Sequence, residues 1–253
     1  MARQVDQDWR CSGSNQAVNE PFCPRSRGTR KAVEQNRVAD QSTHVDLGSM
    51  HILLVGATGT IGTAVHAALL EHNHDVIAAG YVRGKLTVDL SDPKSIEELY
   101  TITGRVDAVV CTAGRAQFGP LDELSDDDFD LSIGNKMMGQ VNLVRSGLGV
   151  VAEGGSFTLT TGGLSQNPEA GTSAVSMVGA GVEAFARGAA IDLKQRYRIN
   201  VVSPGWVAET RQQMGLDPMP GIWAKDLAKY YVYLVEGTAT GEVANADEPL
   251  VSS

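Results

Sequence analysis

The sequence predicts an α/β fold with a doubly wound parallel sheet in a single domain, and three observations support this prediction. Short apolar runs alternate with amphipathic stretches from residue 51 onward. A glycine-rich turn, Gly56–Gly62, joins the first apolar run to the first amphipathic stretch. Small residues or turn residues follow the later runs as well. Alternating strands and helices form parallel sheets covered by helices on both faces.

The first unit is the strand Ile52–Val55, the glycine turn and a helix. The apolar positions of this helix recur at helical spacing, at Ile61, Ala64, Val65, Ala68 and Leu69. A glycine turn that opens a helix presents backbone N–H groups and a positive dipole end to a pyrophosphate. We therefore expect a Rossmann-like sheet that binds a dinucleotide through Gly56, Thr58, Gly59, Thr60, Ile61 and Gly62. The alternative is that these glycines only shape the turn.

The later elements follow in the same alternation. Strands are predicted at 75–79, 85–88, 106–111, 156–160, 198–202 and 242–246, and helices at about 173–194 and 225–235. Ser91 is predicted to cap a helix that has Pro93 in its first turn and ends at Gly104. Ser125 is predicted to cap a long helix whose buried face consists of Met137, Val141, Val144 and Leu148. Ligands of such sheets bind at the carboxyl ends of the strands.

Composition limits the possible partners and the compartment. The chain has 253 residues, 42% of them hydrophobic, and a formal net charge of −9, which disfavours nucleic acid and anionic membranes as partners. No apolar run suggests a membrane span, and no metal site is expected because His72 and His74 fit a solvated loop. Three cysteines form no paired framework, so a reducing cytoplasm fits best.

The first 49 residues differ from the rest of the chain. They are rich in Gln, Asn, Arg, Ser and Asp and show no sustained apolar period. Such a segment cannot bury enough apolar surface to offset the entropy lost on ordering. We therefore expect residues 1–49 to be a disordered extension and residues 50–253 to form the folded domain.

Taken together, these landmarks resemble the short-chain dehydrogenase/reductase family over residues 51–248. The pattern Gly56-x-x-Gly59-x-x-Gly62 looks like that of the family's extended or atypical members. The pair Asp89-Leu90 resembles the segment that contacts adenine, and Ala113-Gly114 lies in a stretch similar to the family's Asn-Asn-Ala-Gly. The segment 203–207, with Pro204, Gly205 and Val207, resembles the one that touches the nicotinamide. The alternative for Asp89 is a turn-forming acid.

The family's catalytic residues are replaced in this chain. The resemblance places Val175 at the tyrosine position and Gly179 at the lysine position four residues later, and neither can transfer a proton. The family's serine position falls on Gly162, beside Thr161, and its asparagine position falls on Lys136. One interpretation is that Lys136 provides a cation while Thr161, Ser173 or Ser176 donates a hydrogen bond to a carbonyl. The other, which the residue types favour, is that Lys136 is exposed and the hydroxyls bind local backbone.

The end of the second strand bears on cofactor choice. An acid there would accept the ribose hydroxyl of NAD, whereas residues 80–85 contain no acid and two cations, Arg83 and Lys85. NADP is therefore favoured over NAD, unless these cations are ordinary loop charges.

Three functions remain open at this point. The first is an oxidoreductase of small organic carbonyls or alcohols with a nonstandard site, and the second is a catalytically silent dinucleotide-binding sensor or scaffold. The third is a non-redox enzyme, an isomerase or dehydratase, on the same fold. Family habit also suggests a homo-oligomer built on the long helices that start at Ser125 and Ser173.

Overall fold

Seven parallel strands form one sheet in the computed structural model, which describes residues 48–194 and 196–250. The strands are β1 (His51–Val55), β2 (Asp75–Gly80), β3 (Leu86–Thr87), β4 (Val106–Cys111), β5 (Val151–Thr160), β6 (Arg198–Ser203) and β7 (Val243–Asn245). Their order in the sheet is β3-β2-β1-β4-β5-β6-β7. The chain thus runs outward from β1 to β3 and returns to place β4 beside β1. This reversal creates a crevice at the carboxyl ends of β1 and β4, and the predicted doubly wound fold is confirmed.

Helices cover both faces of the sheet. They are α1 (Thr60–Glu71), α2 (Pro93–Thr103), α3 (Asp126–Ser132), α4 (Gly139–Gly147), α5 (Ser173–Asp192), α6 (Ala208–Gln213) and α7 (Ala224–Glu236). Alternate residues of β1 point to opposite faces. Leu53 packs in the core under α2, α4 and α5, and Leu54 packs in the core under α1 and α7. Two apolar layers therefore hold the sheet from either side.

The cap of α2 differs from the prediction. Asp92, not Ser91, caps the helix, because Asp92 Oδ1 accepts a hydrogen bond of 2.9 Å from the Lys94 N–H and Pro93 is the first helical residue. The hydroxyl of Ser91 instead accepts a hydrogen bond of 2.8 Å from Asn135 Nδ2. Ser91 therefore connects the turn before α2 to Asn135, in the segment between α3 and α4.

The long helix predicted after Ser125 is interrupted. Ser125 forms the expected cap, reciprocated by Asp128, but residues Ile133–Met138 form a π-helical stretch between α3 and α4. A π-turn holds more residues than an α-turn, so the apolar period read from the sequence shifts register after it. Leu148, predicted as buried, is 36% exposed because the helix ends at Gly147, whereas Leu143 is fully buried.

Strand β5 begins at Val151 rather than Ser156, and its pairing with β4 is irregular between Val106 and Ala108. The predicted segment 156–160 is the regular, buried part of this strand.

Among the described residues, one helix, α5, is long and apolar enough to cross a membrane by length and composition. Its residues Val178, Val182 and Ala186 are fully buried, and α5 packs against β6. Helix α5 is therefore accounted for as a core helix of this fold.

The predicted extension lies outside the described residues apart from its last two positions, so it stays a prediction.

Candidate functional site

The glycine turn after β1 contains three glycines in three different environments. Gly56 has a φ of +89°, and its N–H donates to the Ala79 carbonyl at 2.8 Å. At Gly62 a Cβ would lie 2.0 Å from the Gly56 carbonyl oxygen, so only glycine lets α1 approach the turn this closely. Gly59 is exposed and caps α1 without a side-chain hydrogen bond. The N-terminus of α1 is therefore left without a side-chain cap, as an anion site requires.

The end of β2 lies beside this turn. A Cβ on Gly80 would lie 3.0 Å from Thr58 Oγ1, so the glycine turn and the end of β2 are in close contact. Tyr81, Arg83 and Lys85 follow with exposed side chains, and no acidic residue occurs from 80 to 88. The structure thus brings Thr58 and the two cations predicted for cofactor choice to one edge of the sheet.

The other predicted contact residues lie at neighbouring strand ends. Asp89 is half-buried, and its Oδ1 accepts a 2.9 Å hydrogen bond from the Ser91 N–H, the contact expected of a turn-forming acid. Leu90 is buried against Gly139, where α4 comes so close that a Cβ would lie 2.7 Å from Leu90 Cβ. Gly114 has a φ of +138° and packs against the side chain of Lys136.

Asn135 fixes these loops, and the sequence analysis missed it. It is 5% exposed, its Oδ1 accepts a 2.7 Å hydrogen bond from the Arg115 N–H, and its Nδ2 donates to Ser91 Oγ. A buried amide that bonds at both ends holds the loop after β4 against the loop before α2. The signal available in the sequence was Asn135 itself, a polar residue in the first half of the segment Ile133–Met138.

A cavity of about 960 Å³ opens at the carboxyl ends of β4, β5 and β6. It is lined by predicted cofactor contacts, namely Ile61, Gly114, Pro204, Gly205 and Val207, and also by Lys136, Thr161, Val175 and Gly179. The aromatic rings of Phe118 and Trp206 also line it, with centroids 6.5 Å apart. Val175 and Gly179 therefore face the same space as the segment 203–207, which is expected to touch the nicotinamide.

Lys136 lies in the wall of this cavity rather than free in solvent, which corrects the favoured interpretation of an exposed lysine. Burial lowers the pKa of its ammonium group, and the nearby Cys111 opposes this effect. A Cβ on Gly114 would lie 2.7 Å from Lys136 Cδ, so the lysine chain runs across the face of that glycine. Lys136 thus brings a group that can donate a proton into the wall of the cavity.

Two of the predicted hydroxyl donors, Thr161 and Ser176, bind side chains of the protein. Thr161 is 7% exposed and lines the cavity, but its Oγ1 donates to Glu183 Oε1 at 3.1 Å. Ser176 Oγ lies 3.2 Å from Thr172 Oγ1 and is not among the cavity-lining residues. Ser173 is exposed at the start of α5. Thr161 and Ser176 thus bond to side chains and not to the local backbone that the favoured interpretation expected.

Glu183 is a second residue that the sequence analysis missed. It is 4% exposed, and its Oε1 accepts hydrogen bonds from Ser165 Oγ at 2.5 Å and Ser203 Oγ at 3.5 Å as well as from Thr161. This carboxylate therefore joins α5 to the ends of β5 and β6 beneath the cavity. An acid within the apolar stripe of α5, next to Val182, was the signal.

The histidines do not form a metal site in the part of the chain that the structure describes, where no group of three or more His, Cys, Asp or Glu residues is suitably arranged. His72 Nδ1 and His74 Nε2 both contact Glu236 Oε1, at 2.8 and 3.1 Å. His74 is 5% exposed, so the prediction of a solvated loop is wrong for it. Its Nδ1 accepts a hydrogen bond of 3.3 Å from the Met50 N–H, so His74 bridges the residue before β1 and Glu236 at the end of α7.

The switch-point crevice, the glycine turn and the uncapped helix define a Rossmann-fold protein of the dinucleotide-binding type. A family model described as enoyl-(acyl carrier protein) reductase matches residues 56–248. The chain belongs to the short-chain dehydrogenase/reductase family. It therefore has an oxidoreductase fold from a family that acts on small molecules.

Solved structures show the same fold. The protein lin1944 from Listeria innocua is 38% identical, with a TM-score of 0.74 over 78% of this chain and 99% of that one. A small-chain dehydrogenase in complex with NADPH is 26% identical, with a TM-score of 0.69 over 78% of this chain and 96% of that one. A short chain dehydrogenase from Burkholderia cenocepacia J2315 in complex with NADP, 21% identical, has a TM-score of 0.67 over 78% of this chain and 97% of that one. Comparison with curated proteins gives no match.

Proposed function

We propose that this protein is an oxidoreductase that uses a nicotinamide dinucleotide, NADP(H) rather than NAD(H), to interconvert a small organic carbonyl and its alcohol. The observation that carries the proposal is the shared cavity: Lys136 lines the same space as Gly114 and Pro204. Lys136 there takes the proton-donating role that Val175 and Gly179 cannot fill.

The residues of the glycine turn fit such a cofactor. Gly56 and Gly62 allow the turn to lie against the start of α1, and the exposed Gly59 leaves room for a phosphate to approach. The helix dipole and the backbone N–H groups at this end favour a doubly charged pyrophosphate. When bound, the dinucleotide supplies or accepts the hydride. Two of the structural relatives hold NADPH or NADP, which supports the choice of cofactor.

Lys136 would act on the carbonyl oxygen. An ammonium group in a partly buried site stabilises negative charge that develops on that oxygen more strongly than it would in water. Because burial lowers its pKa, Lys136 is also a stronger acid than an exposed lysine, and it can pass its proton to the oxygen. Apolar side chains also line the cavity, including Leu131, Leu164 and Ile222, so we expect an apolar substrate.

The decisive experiment measures binding and turnover separately. NADPH binding is followed by fluorescence titration, and a panel of aliphatic and aryl carbonyl compounds is then screened for NADPH consumption. Lys136→Met keeps a side chain of similar length against Gly114 but removes the proton. We expect it to bind NADPH normally and to lose about 10²- to 10⁴-fold in turnover. Lys94→Met, at an exposed position of α2, serves as the control and should change neither quantity.

Binding itself is tested at Gly59. Gly59→Asp places a carboxylate beside the pyrophosphate and should abolish binding, whereas Gly59→Asn adds similar bulk without the charge and should weaken binding less. A Cβ at this position meets only the Gly56 carbonyl oxygen, at 3.4 Å, so both variants should fold. Equal affinity in wild type and Gly59→Asp would show that the cofactor is misplaced.

A second candidate is a dinucleotide-binding sensor or scaffold without turnover. The side chains at the family's proton-relay positions favour it, since Val175 and Gly179 are both inert and both line the cavity. Tight NADPH binding with no turnover on any carbonyl, and no effect of Lys136→Met, would support this candidate over the enzyme. Failure of the wild type to bind either dinucleotide would reject both.

We also propose a homo-oligomer formed through α5. Met177, Ala180, Ala184, Gly188 and Ile191 form a small, apolar face that is exposed in the single chain. Small residues let two such helices approach closely. Light scattering should therefore show a dimer or tetramer for the wild type and a smaller species for Ala184→Glu, while a monomeric wild type would contradict the proposal.

A cytoplasmic location is proposed as well, because Cys111, the one cysteine among the described residues, is a free buried thiol. Free thiols persist in reducing compartments. Cell fractionation tests this proposal.

A further inference from the structure

Arg115 and Tyr81 form a bridge across the carboxyl edge of the sheet. Tyr81 directly follows β2, Arg115 lies in the loop after β4, and the guanidinium carbon of Arg115 is 5.6 Å from the centroid of the Tyr81 ring. In the sheet, β1 lies between β2 and β4. The bridge therefore spans the end of β1, where the glycine turn begins.

The backbone of Arg115 is fixed while its charged end is exposed. The Arg115 N–H donates to Asn135 Oδ1 at 2.7 Å, and the preceding Gly114, at a φ of +138°, directs the chain at this point. Both side chains of the bridge are solvent-accessible, and Tyr81 is 56% exposed. A guanidinium group that lies over an aromatic ring contacts the ring through the flat face of the guanidinium. The N–H groups in the guanidinium plane therefore stay available to an anion. No hydrogen bond joins the guanidinium to another residue within 48–194 and 196–250.

The position of the bridge indicates which anion it would meet. In dinucleotide-binding sheets, the ribose 2′ position is recognised about 20 residues after the glycine turn, at the end of the second strand. Tyr81 occupies this place, and Thr58 lies against Gly80 on the other side. Since no acid is present from residue 80 to 88, the NAD-type contact to a ribose hydroxyl is absent there. Arginine, by contrast, matches phosphate through two parallel hydrogen bonds.

We propose that Arg115, held on the ring of Tyr81, binds the 2′-phosphate of NADP(H) and sets the preference for this cofactor. The inference rests on the proposed function. It assigns cofactor selectivity to a residue from the loop after β4, in addition to Arg83 and Lys85 in the loop after β2. Arg83 and Lys85 are exposed, and within the described residues 48–194 and 196–250 no hydrogen bond, ion pair or ring contact orders either side chain. The guanidinium of Arg115, by contrast, is already ordered by Tyr81.

The test compares the affinities of NADPH and NADH by fluorescence titration. Arg115→Ala should weaken NADPH binding about tenfold to a hundredfold, as expected for a lost charge-assisted hydrogen bond, and should change NADH binding less than about threefold. Arg115→Lys should lie in between, because an ammonium group provides a charge without the fork. Arg105→Ala is the matched control, since Arg105 is exposed at the opposite edge, just before β4.

Tyr81 provides an independent measurement. Tyr81→Phe keeps the ring and should retain NADPH selectivity, whereas Tyr81→Leu removes the aromatic face and should lower it. Titration with 2′,5′-ADP and 5′-ADP separates the two phosphate sources, because only the former carries the 2′-phosphate. We expect Arg115→Ala to weaken binding of 2′,5′-ADP alone.

The possible failures are distinguishable. Equal weakening of NADPH and NADH by Arg115→Ala would mean that Arg115 contacts the pyrophosphate, and an unchanged NADPH affinity would remove it from the site. Either result overturns the inference and leaves the proposed function standing. If the wild type binds neither dinucleotide, the proposed function and the inference fail together.

Discussion

The close approach of α1 to the glycine turn makes Gly62→Ala a demanding test of the site. The added Cβ would lie 2.0 Å from the Gly56 carbonyl oxygen and 2.7 Å from the Gly56 carbonyl carbon. Both distances are shorter than 3.0 Å, a separation below which real Cβ contacts essentially never occur. Both contacts are backbone atoms, and the Gly56 N–H is held to the Ala79 carbonyl at 2.8 Å. Relief of the overlap therefore requires α1 and the turn to separate.

The expected cost follows from this geometry. Overpacking of a protein core costs about 1–3 kcal/mol of unfolding free energy. Because the neighbouring backbone atoms cannot rotate away, we expect Gly62→Ala to cost about 3 kcal/mol. For a folded domain of this size, about 1 kcal/mol corresponds to roughly 2–4 °C in the melting temperature. We therefore expect calorimetry to show a decrease of about 6–12 °C for Gly62→Ala.

Gly59→Ala is the matched control within the same turn. Gly59 has a φ of −84°, which alanine adopts readily, and its Cβ would meet only the Gly56 carbonyl oxygen, at 3.4 Å. Because glycine is preferred over alanine at an N-cap, the free energy of unfolding should decrease by up to about 1 kcal/mol, well below the change expected for Gly62→Ala. If Gly62→Ala melted at the same temperature as Gly59→Ala, α1 could not lie against Gly56 as described, and the geometry of the anion site would be wrong.

Three further predictions concern the groups around the cavity. Burial raises the pKa of the Cys111 thiol to about 11, so this thiol should stay protonated and unreactive in the folded protein at mildly alkaline pH. In a Cys11→Ser/Cys23→Ser variant, iodoacetamide should therefore label Cys111 only after unfolding, and mass spectrometry measures the labelling. Glu183→Ala leaves the hydroxyls that bonded to Glu183 without their acceptor and should lower the unfolding free energy in urea by about 1–3 kcal/mol, with a smaller loss for Glu183→Gln. Carbonyl reduction should decrease as pH rises through the lowered pKa of Lys136, because the ammonium form is the proton donor; a rate independent of pH in alkaline buffer would contradict this role.

Local patterns in the sequence were sufficient to predict the sheet and the glycine turn. Buried parallel strands are continuous apolar runs, as in Ile52–Val55, and the turn of Gly56–Gly62 follows from residues that are adjacent in the chain. The order of the strands then places the predicted contacts, Gly114 and Pro204 among them, at one edge. Parallel topology makes this outcome predictable, because all carboxyl ends lie on the same side.

Contacts between distant segments could not be predicted in this way. Arg115 meets Tyr81, and Glu183 meets Ser203, only after the sheet has formed. The π-helical stretch is a similar case, since it ends directly before Gly139, where α4 packs against the distant residue Leu90. Lys136 was consequently expected in solvent, as isolated lysines usually are.

In the proposed enzyme, Lys136 is the proton donor, and Val175 and Gly179 take no part in proton transfer. Helix α5 presents the small, apolar residues Val175 and Gly179 to the cavity and so provides a wall without a titrating group. The cation comes from the π-helical stretch instead, and its side chain lies so close to Gly114 that a Cβ there would be 2.7 Å from Lys136 Cδ. Lys136 and Gly114 are therefore structurally coupled. The proposed enzyme depends on that coupling, whereas a silent binder would require only the glycine turn and the bridge of Arg115 and Tyr81.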